Sequence, residues 1–293
     1  GVRVRRNYSI SSGSSAPGAR RIEITVRRVP GGRVSTALHR LRRGASVGLD
    51  LPAGDFVLDP DSDRRLLVAG GSGITPIRAM LRDLAAASDR EAATARDRAP
   101  ASHSAPASAH VVVVHVARSA HDAIFAAELA SLATRLPWLH VHAWRDDRGG
   151  RLDTAALHAL VPDLADRETF VCGPPGLIDL VSTAASSVGA GHRVHHERFV
   201  VTAPATTIAA ATIQLLRSDT TVVADGAGSL LVQLERAGQR PAHGCRMGIC
   251  NTCRCRKRTG TVEDLTTGAV SSEPDQDIRL CVSVARSDLA LDL

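Results

Sequence analysis

Four cysteines within eleven residues leave this chain few folds to choose from. Cys245-Arg246-Met247-Gly248-Ile249-Cys250-Asn251-Thr252-Cys253 reads C-x4-C-x2-C, Cys255 follows at once, and Cys281 stands after 27 residues beyond Cys253. Cys245, Cys250, Cys253 and Cys281 supply the four thiolates that a [2Fe–2S] cluster requires, at a loop spacing used for such clusters. A loop of this kind aims backbone N–H groups inward at sulfur, and Gly244 and Gly248 permit the φ values needed. Tetrahedral zinc is the competing reading, although zinc sites usually pair two short knuckles and Cys281 has no second ligand beside it. Cys255 gains nothing from the spacing and reads as a free thiol. Cys172 stands alone. One clustered set of thiols, behind an amino end (Gly1-Val2-Arg3-Val4-Arg5) without an apolar signal core, points to metal binding in a reducing compartment, and hence to the cytoplasm.

Composition narrows the partners. The formal charge is +6, but residues from Ala205 onward carry ten basic and ten acidic groups, so the excess lies in the first 204. Aromatic residues are 2% of the chain, too few for stacking on bases, and no nucleic-acid partner is expected. No apolar run approaches the length of a spanning helix, so the chain is not expected to cross a membrane. A monomer is expected.

The pattern then changes along the chain. Arg21-Ile22-Glu23-Ile24-Thr25-Val26 alternates with a period of two, which predicts a half-buried strand. Leu66-Leu67-Val68-Ala69 runs into Gly70-Gly71-Ser72-Gly73 and a helical pattern from Pro76 to about Leu84. Val111–Val114, Leu139–Ala143 and Thr169–Cys172 read as further strands, with a helix from about Ala123 to Leu136. Strands alternating with helices predict a parallel sheet. Asp89 to Ala109, rich in Ala, Ser, Pro and Arg, reads as a surface insertion. Pro204 among threonines marks a linker.

Two weaker motifs lie upstream of the cysteines. Gly71-Ser72-Gly73-Ile74-Thr75-Pro76 follows a strand and opens a helix, where amides can receive a pyrophosphate. Arg6-Asn7-Tyr8-Ser9 and Gly31-Gly32-Arg33-Val34-Ser35-Thr36 offer charge, an aromatic face and a second turn of amides, as a flavin nucleotide needs.

In this order R-x-Y-S, G-x-V-S, G-x-G-x-x-P, C-G-P and the cysteine loop resemble ferredoxin–NADP reductase-type flavoproteins with a C-terminal plant-type ferredoxin domain. The segments Val26–Thr36, Glu197-Arg198-Phe199 and Gly244–Cys250 most resemble reductases that serve actinobacterial acyl-CoA desaturases; reductases of oxygenase systems share the architecture. The resemblance implies a multidomain fold. Residues 1–63 are the remaining part of an antiparallel flavin-binding β-barrel, 64–201 an α/β parallel-sheet NAD(P)-binding domain, 202–210 a linker, and 211–293 an α+β β-grasp ferredoxin-type domain. Only seven residues precede Tyr8, so the barrel's first strands are expected to be missing and flavin retention to be weak.

The resemblance also implies roles. Arg6 binds flavin phosphate, Tyr8 stacks on the isoalloxazine ring, Ser9 lies near its reactive edge, and Val26, Gly32, Val34, Ser35 and Thr36 complete the FAD site. Gly71, Gly73, Thr75 and Pro76 form the nicotinamide pyrophosphate turn, and Cys172-Gly173-Pro174 lies beside hydride transfer, so that Tyr8, Ser9, Thr75 and Cys172 are the catalytic candidates. Pro175 and Gly176 depart from the usual continuation of that segment into a helix. After the second strand stand Arg118 and Ser119 with no acid before Asp122, which favours NADPH. NADPH then passes two electrons to FAD, which releases them singly to the cluster and on to a redox acceptor, a desaturase or oxygenase component. Arg246, Arg254, Arg256, Lys257 and Arg258 read equally as a docking face for an acidic partner and as a solvated charged loop. The alternatives are an NADH-dependent oxygenase reductase, and a one-electron ferredoxin carrier whose flavin part does not function.

Overall fold

The computed structural model describes residues 4–13, 21–59, 62–96, 110–199 and 210–293. The chain divides into two compact units. One contains residues 8–43 and 55–199; the other contains 1–7, 44–54 and 200–293.

In the first unit, helix α1 (Arg33–Arg40) precedes a five-stranded parallel sheet. The sheet comprises β1 (Arg64–Gly70), β2 (His110–Ala117), β3 (Leu139–Arg145), β4 (Glu168–Cys172) and β5 (Val194–Glu197), in the spatial order β3-β2-β1-β4-β5. Helices α2 (Ile74–Arg96), α3 (Ala126–Arg135), α4 (Asp146–Gly149), α5 (Thr154–Leu160) and α6 (Pro175–Ser187) fill the crossovers. The continuous apolar runs of β1 and β2 follow from burial on both faces. Leu67, Ala69, Val111 and Val113 enter a core with Ile74, Ile77 and Leu129, while Leu66, Val68, Val112 and Val114 enter another with Leu157, Ile178 and Val181.

Several expectations need correction. The strand expected over Arg21–Val26 is reduced to one antiparallel bridge, Ile10 to Ile24, with Ser11 N–H donating to the Glu23 carbonyl at 2.8 Å. Alternation sets where side chains point but supplies no ladder partner, and Ile22 and Ile24 remain exposed. The segment is held instead by Arg78 of α2, whose buried guanidinium donates to the Ser11 carbonyl (2.8 Å), Glu23 (2.9 Å) and Glu128 (2.8 Å) and lies 4.3 Å over the Phe125 ring. Helix α2 continues to Arg96, so Asp89–Arg96 are helical; the rest of the expected insertion lies outside the described residues, as does the expected linker up to residue 209. Helix α6 begins directly at Pro175, where a missing N–H and a fixed φ cost nothing, so the Pro-Gly pair does not interrupt it.

The second unit carries β6 (Ala211–Leu215), β7 (Thr220–Ala224), α7 (Leu230–Arg236), β8 (Arg254–Thr259), β9 (Val262–Asp264), β10 (Val270–Ser271), β11 (Gln276–Arg279), β12 (Ser283–Ala285) and β13 (Leu289–Leu291). The β6–β7 hairpin extends a mixed sheet ordered β11-β8-β13-β6-β7, and β10-β9-β12 form a small antiparallel sheet. Leu230, Leu231 and Leu234 bring α7 onto the core with Ile213, Val282 and Leu291. Lys257, the only lysine in the chain, is fully buried, and its ammonium donates to the carbonyls of Gly260 (2.7 Å) and Glu273 (2.6 Å).

Candidate functional site

In the sheet order β3-β2-β1-β4-β5 the strand sequence reverses between β1 and β4, and α/β sheets bind ligands outside the carboxyl ends of strands at such a point. The Gly71–Gly73 turn leaves β1 there, and Cys172-Gly173-Pro174 leaves β4. Their approach requires glycine. A Cβ on Gly73 would lie 1.9 Å from the Cys172 carbonyl oxygen, and Gly71 has φ +55°. Thr75 is buried and its hydroxyl donates to the Ser72 carbonyl at 2.9 Å, so in this geometry it shapes the turn. Pro76, also buried, continues into α2.

Ser9 and Cys172 meet at a third residue. Ser9 Oγ donates to Glu197 Oε2 at 3.1 Å, and the Cys172 thiol donates to the same oxygen at 3.9 Å. Burial pushes the Glu197 carboxyl above its ordinary range; the Ser9 hydroxyl opposes this and nearby Asp55 adds to it. Burial, reinforced by Glu197, also pushes the Cys172 thiol strongly upward, so it stays protonated. The sequence marks Glu197 only as part of the segment Glu197-Arg198-Phe199. Its role became visible when β5 was seen to pair with β4 in the register Cys172 to Glu197. Tyr8 is half-buried beside Ser9, whereas Arg6 is exposed and donates to the Arg5 carbonyl at 2.7 Å.

The turn before α1 is tied internally. Ser35 Oγ accepts from Val29 N–H (3.2 Å), Gly32 N–H donates to the Val29 carbonyl (2.9 Å), and Thr36 N–H to the Gly32 carbonyl (3.1 Å). Val26 offers its carbonyl to His39 Nε2 at 2.8 Å, and Val34 is half-buried. No side chain caps α1, and Arg28, Gly31, Gly32, Arg33, Thr36 and Arg40 line an open cavity of about 560 Å³. Free helix amides with three arginines fit the pyrophosphate of a dinucleotide such as FAD.

Arg118 and Ser119 are placed together but share an acid. Arg118 Nη2 donates to Asp122 Oδ1 at 3.1 Å and Ser119 Oγ to Asp122 Oδ2 at 3.0 Å. The carboxylate behind the pair offsets the charge that would favour a 2′-phosphate.

The cysteine loop forms a cradle. Arg246, Gly248 and Asn251 all take left-handed φ (63°, 76° and 54°), which turns successive amides inward. Cys245 N–H donates to Cys250 Sγ (3.2 Å), Met247 and Cys250 N–H to Cys245 Sγ (3.3 and 3.4 Å), Gly248 N–H to Cys281 Sγ (3.2 Å), and Thr252 Oγ1 to Cys250 Sγ (3.2 Å). Gly244 does not have a positive φ. It serves by lacking a side chain, since a Cβ would stand 2.8 Å from Cys250 Sγ. Hydrogen bonding among the clustered thiols and from the loop amides holds Cys245 and Cys253 below the ordinary thiol range, while the same neighbours push Cys281 above it. Among the described residues no group of three or more His, Cys, Asp or Glu side chains is arranged for a single metal ion. Four thiols, three of whose sulfurs already receive five donors between them, fit a sulfur-rich cluster, whose charge such donors stabilise. Cys255 lies elsewhere, buried on β8 opposite Ile278, and burial raises its thiol to about 11.

The basic residues that flank the loop are paired within their own unit. Arg246 is paired with Glu235 (2.6 Å), Arg254 with Asp277, Arg256 with the Asp275 carbonyl (2.5 Å), and Arg258 with Asp275 (2.6 Å) and Asp292 (2.7 Å); Lys257 is buried.

Comparison with known proteins gives three family matches in chain order: an oxidoreductase FAD-binding domain over residues 1–58, an oxidoreductase NAD-binding domain over 67–183, and a 2Fe-2S iron-sulfur cluster binding domain over 213–286. An NADPH oxidoreductase of Mycobacterium tuberculosis is 38% identical over 291 residues, covering 98% of this chain and 72% of that protein. The glycine betaine monooxygenase reductase subunit of Chromohalobacter salexigens is 31% identical, covering all of this chain and 83% of its own. The solved structure of phthalate dioxygenase reductase, described as a modular structure for electron transfer from pyridine nucleotides to [2Fe-2S], superposes with a TM-score of 0.58 at 26% identity. It covers 98% of this chain and 83% of that one.

Proposed function

Because this chain belongs to the phthalate dioxygenase reductase-like ferredoxin reductases that carry a 2Fe-2S domain, we propose that it passes electrons from NADPH through FAD to the cluster and on to an oxygen-activating acceptor protein, such as an acyl-CoA desaturase. The chain is an NAD(P)H-dependent flavin iron–sulfur oxidoreductase. When bound, FAD and the [2Fe–2S] cluster supply the conversion of one hydride into two single electrons.

The observation that carries the reading is the convergence of Ser9 and Cys172 on Glu197. A serine of the flavin motif and the cysteine that ends β4 thereby meet at one carboxylate, with the Gly71–Gly73 turn packed against the same Cys172 backbone. Glu197 orients the Ser9 hydroxyl, and its buried carboxyl holds a proton more readily than a surface acid. Cys172, kept neutral, presents an uncharged polarisable wall. Gly71, Gly73 and the α2 N-terminus would hold the nicotinamide dinucleotide. The open turn before α1, with Arg28, Arg33 and Arg40, would hold the FAD pyrophosphate. Cys245, Cys250, Cys253 and Cys281 would hold the cluster.

NADPH is supported by Arg118 and Ser119 and by the mycobacterial relative, which is named an NADPH oxidoreductase. NADH is the second reading, favoured by Asp122 at that same corner. Oxygenase components are the other acceptor class, since several relatives are named as subunits of oxygenase systems. Among the described residues no helix is long and apolar enough to cross a membrane; the clustered free thiols support work in a reducing compartment such as the cytoplasm.

The test is anaerobic addition of NADPH, then NADH, to iron-reconstituted, FAD-supplemented protein while cluster absorbance is followed. Bleaching that is faster with NADPH is expected. Faster bleaching with NADH transfers the proposal to that cofactor, and bleaching by dithionite but by neither nucleotide leaves only a one-electron carrier.

A further inference from the structure

We propose that Arg279 is a positioning residue for the cluster loop, locking the Gly248 peptide against Asp264 and thereby setting both the hydrogen bond to Cys281 and the potential of the bound cluster. The inference rests on the reading of Cys245, Cys250, Cys253 and Cys281 as cluster ligands.

Arg279 closes β11, two residues before Cys281. Its guanidinium makes two bonds that a simple charge would not need. Nη1 donates to the Gly248 carbonyl at 2.6 Å, and Nη2 donates to Asp264 Oδ2 at 2.9 Å. A planar fork can bridge two acceptors in this way, whereas an ammonium acts as a point charge. Asp264 is itself fixed. It ends β9, and Oδ1 accepts from Thr266 N–H (2.8 Å) and Thr267 N–H (3.2 Å). The guanidinium therefore fastens a flexible loop glycine to a rigid turn.

Gly248 is the residue of the loop that most needs fastening. Its φ is +76°, and its N–H donates to Cys281 Sγ at 3.2 Å. On its other side the position is filled, since a Cβ there would meet both Val282 methyls at 3.0–3.1 Å. A glycine has no side chain of its own to hold it, so the peptide orientation that aims N–H at sulfur depends on what grips the carbonyl. Arg279 also places a positive charge beside the loop. A cation and an aimed N–H both favour the more negative, reduced form of a cluster, and so both raise its potential.

The experiment compares wild type, Arg279→Gln and Arg279→Lys as full chains. Iron and sulfide content, the cluster potential by EPR-monitored titration, and hydrogen–deuterium exchange of the peptide spanning 245–252 by mass spectrometry are measured. Arg279→Gln is expected to exchange the loop about tenfold faster, the factor that corresponds to one lost charge-assisted hydrogen bond, and to titrate at a more negative potential. Arg279→Lys keeps the charge without the fork, so it should recover only part of the potential and little of the protection. Unchanged exchange and potential in a cluster-loaded Arg279→Gln overturns the inference. If that variant does not assemble, wild-type protection in Arg279→Lys overturns it. Absence of iron and sulfide from wild type defeats the cluster reading instead, and exchange of the cluster-free proteins still judges Arg279.

Discussion

The cluster cradle and the flavin segment solve the same problem, holding an anionic redox group, with opposite means. Around the cradle, the cationic side chains at 246, 254, 256, 257 and 258 all have partners in their own unit, and the thiols sit over a closed core with Ile213, Leu280 and Val282. In the flavin segment, Arg28, Arg33 and Arg40 carry no ion pair among the described residues and face an open cavity. Val57, Leu49 and Leu51 are 67%, 65% and 91% exposed. The cradle is thus preorganised by side chains and amides of its own unit, whose ion pairs span 11 to 34 positions. The flavin segment of the first unit borrows its order from α2 and α3 through the buried Arg78 clamp to Glu23 and Glu128, and its arginines wait for an anion. A site that supplies its own donors can be read and broken residue by residue, whereas one that borrows its scaffold fails through a distant clamp.

The largest effect should come from the cradle. Cys253→Ser removes one of four sulfur ligands, and iron and acid-labile sulfide analysis should fall close to zero; Cys255→Ala, two residues away, should keep full iron and cost only about 1 kcal/mol of stability in urea unfolding. Equal loss of iron in both would erase the distinction between them. Next is Gly73→Ala. The new methyl meets the Cys172 carbonyl, so the two turns must separate, with about 3 kcal/mol lost from the unit and roughly 100-fold slower reduction by pyridine nucleotide. Dithionite reduction of the cluster should be untouched, and stopped-flow absorbance checks both. Arg78→Met should cost about 2–3 kcal/mol, less than a fully buried pair because Glu23 is more than half exposed. Trypsin should then cut earlier at Arg21 and Arg27 while the cysteine loop stays protected; unaltered cleavage would show that the segment holds itself.

The smallest effect is pH-dependent. Burial raises the folded pKa of Glu197, so between the unfolded value near 4.5 and that raised value the native state binds more protons than the unfolded one. Stability therefore falls as pH rises through this window. Glu197→Gln, which removes the ionisation, should match wild type below the window and become the more stable protein above it. A constant difference across pH in thermal melts would refute the assignment.

Much of this was legible in the residues. The double-sided apolar runs of β1 and β2 announced a parallel sheet, and C-x4-C-x2-C with a distant fourth cysteine announced the cradle, because both depend on periodicity and spacing that the chain carries along its own length. Pro175, read as a departure from the expected helix, sits at the N1 position where proline is at ease. Gly244, read as a φ requirement, instead makes room for Cys250 Sγ.

The amino-acid sequence by itself determined the order of the three binding segments, the spacing of the cysteine loop and the buried strands, since these rest on local pattern and side-chain chemistry. Only the tertiary structure decided that Ser9 and Cys172 share Glu197, that Asp122 stands behind Arg118 and Ser119, that Arg279 grips Gly248, and that the strand expected at Arg21–Val26 shrinks to one bridge. Each of those depends on a partner from 3 to 188 positions away, brought alongside by chain packing, and neither periodicity nor propensity encodes which partner that is.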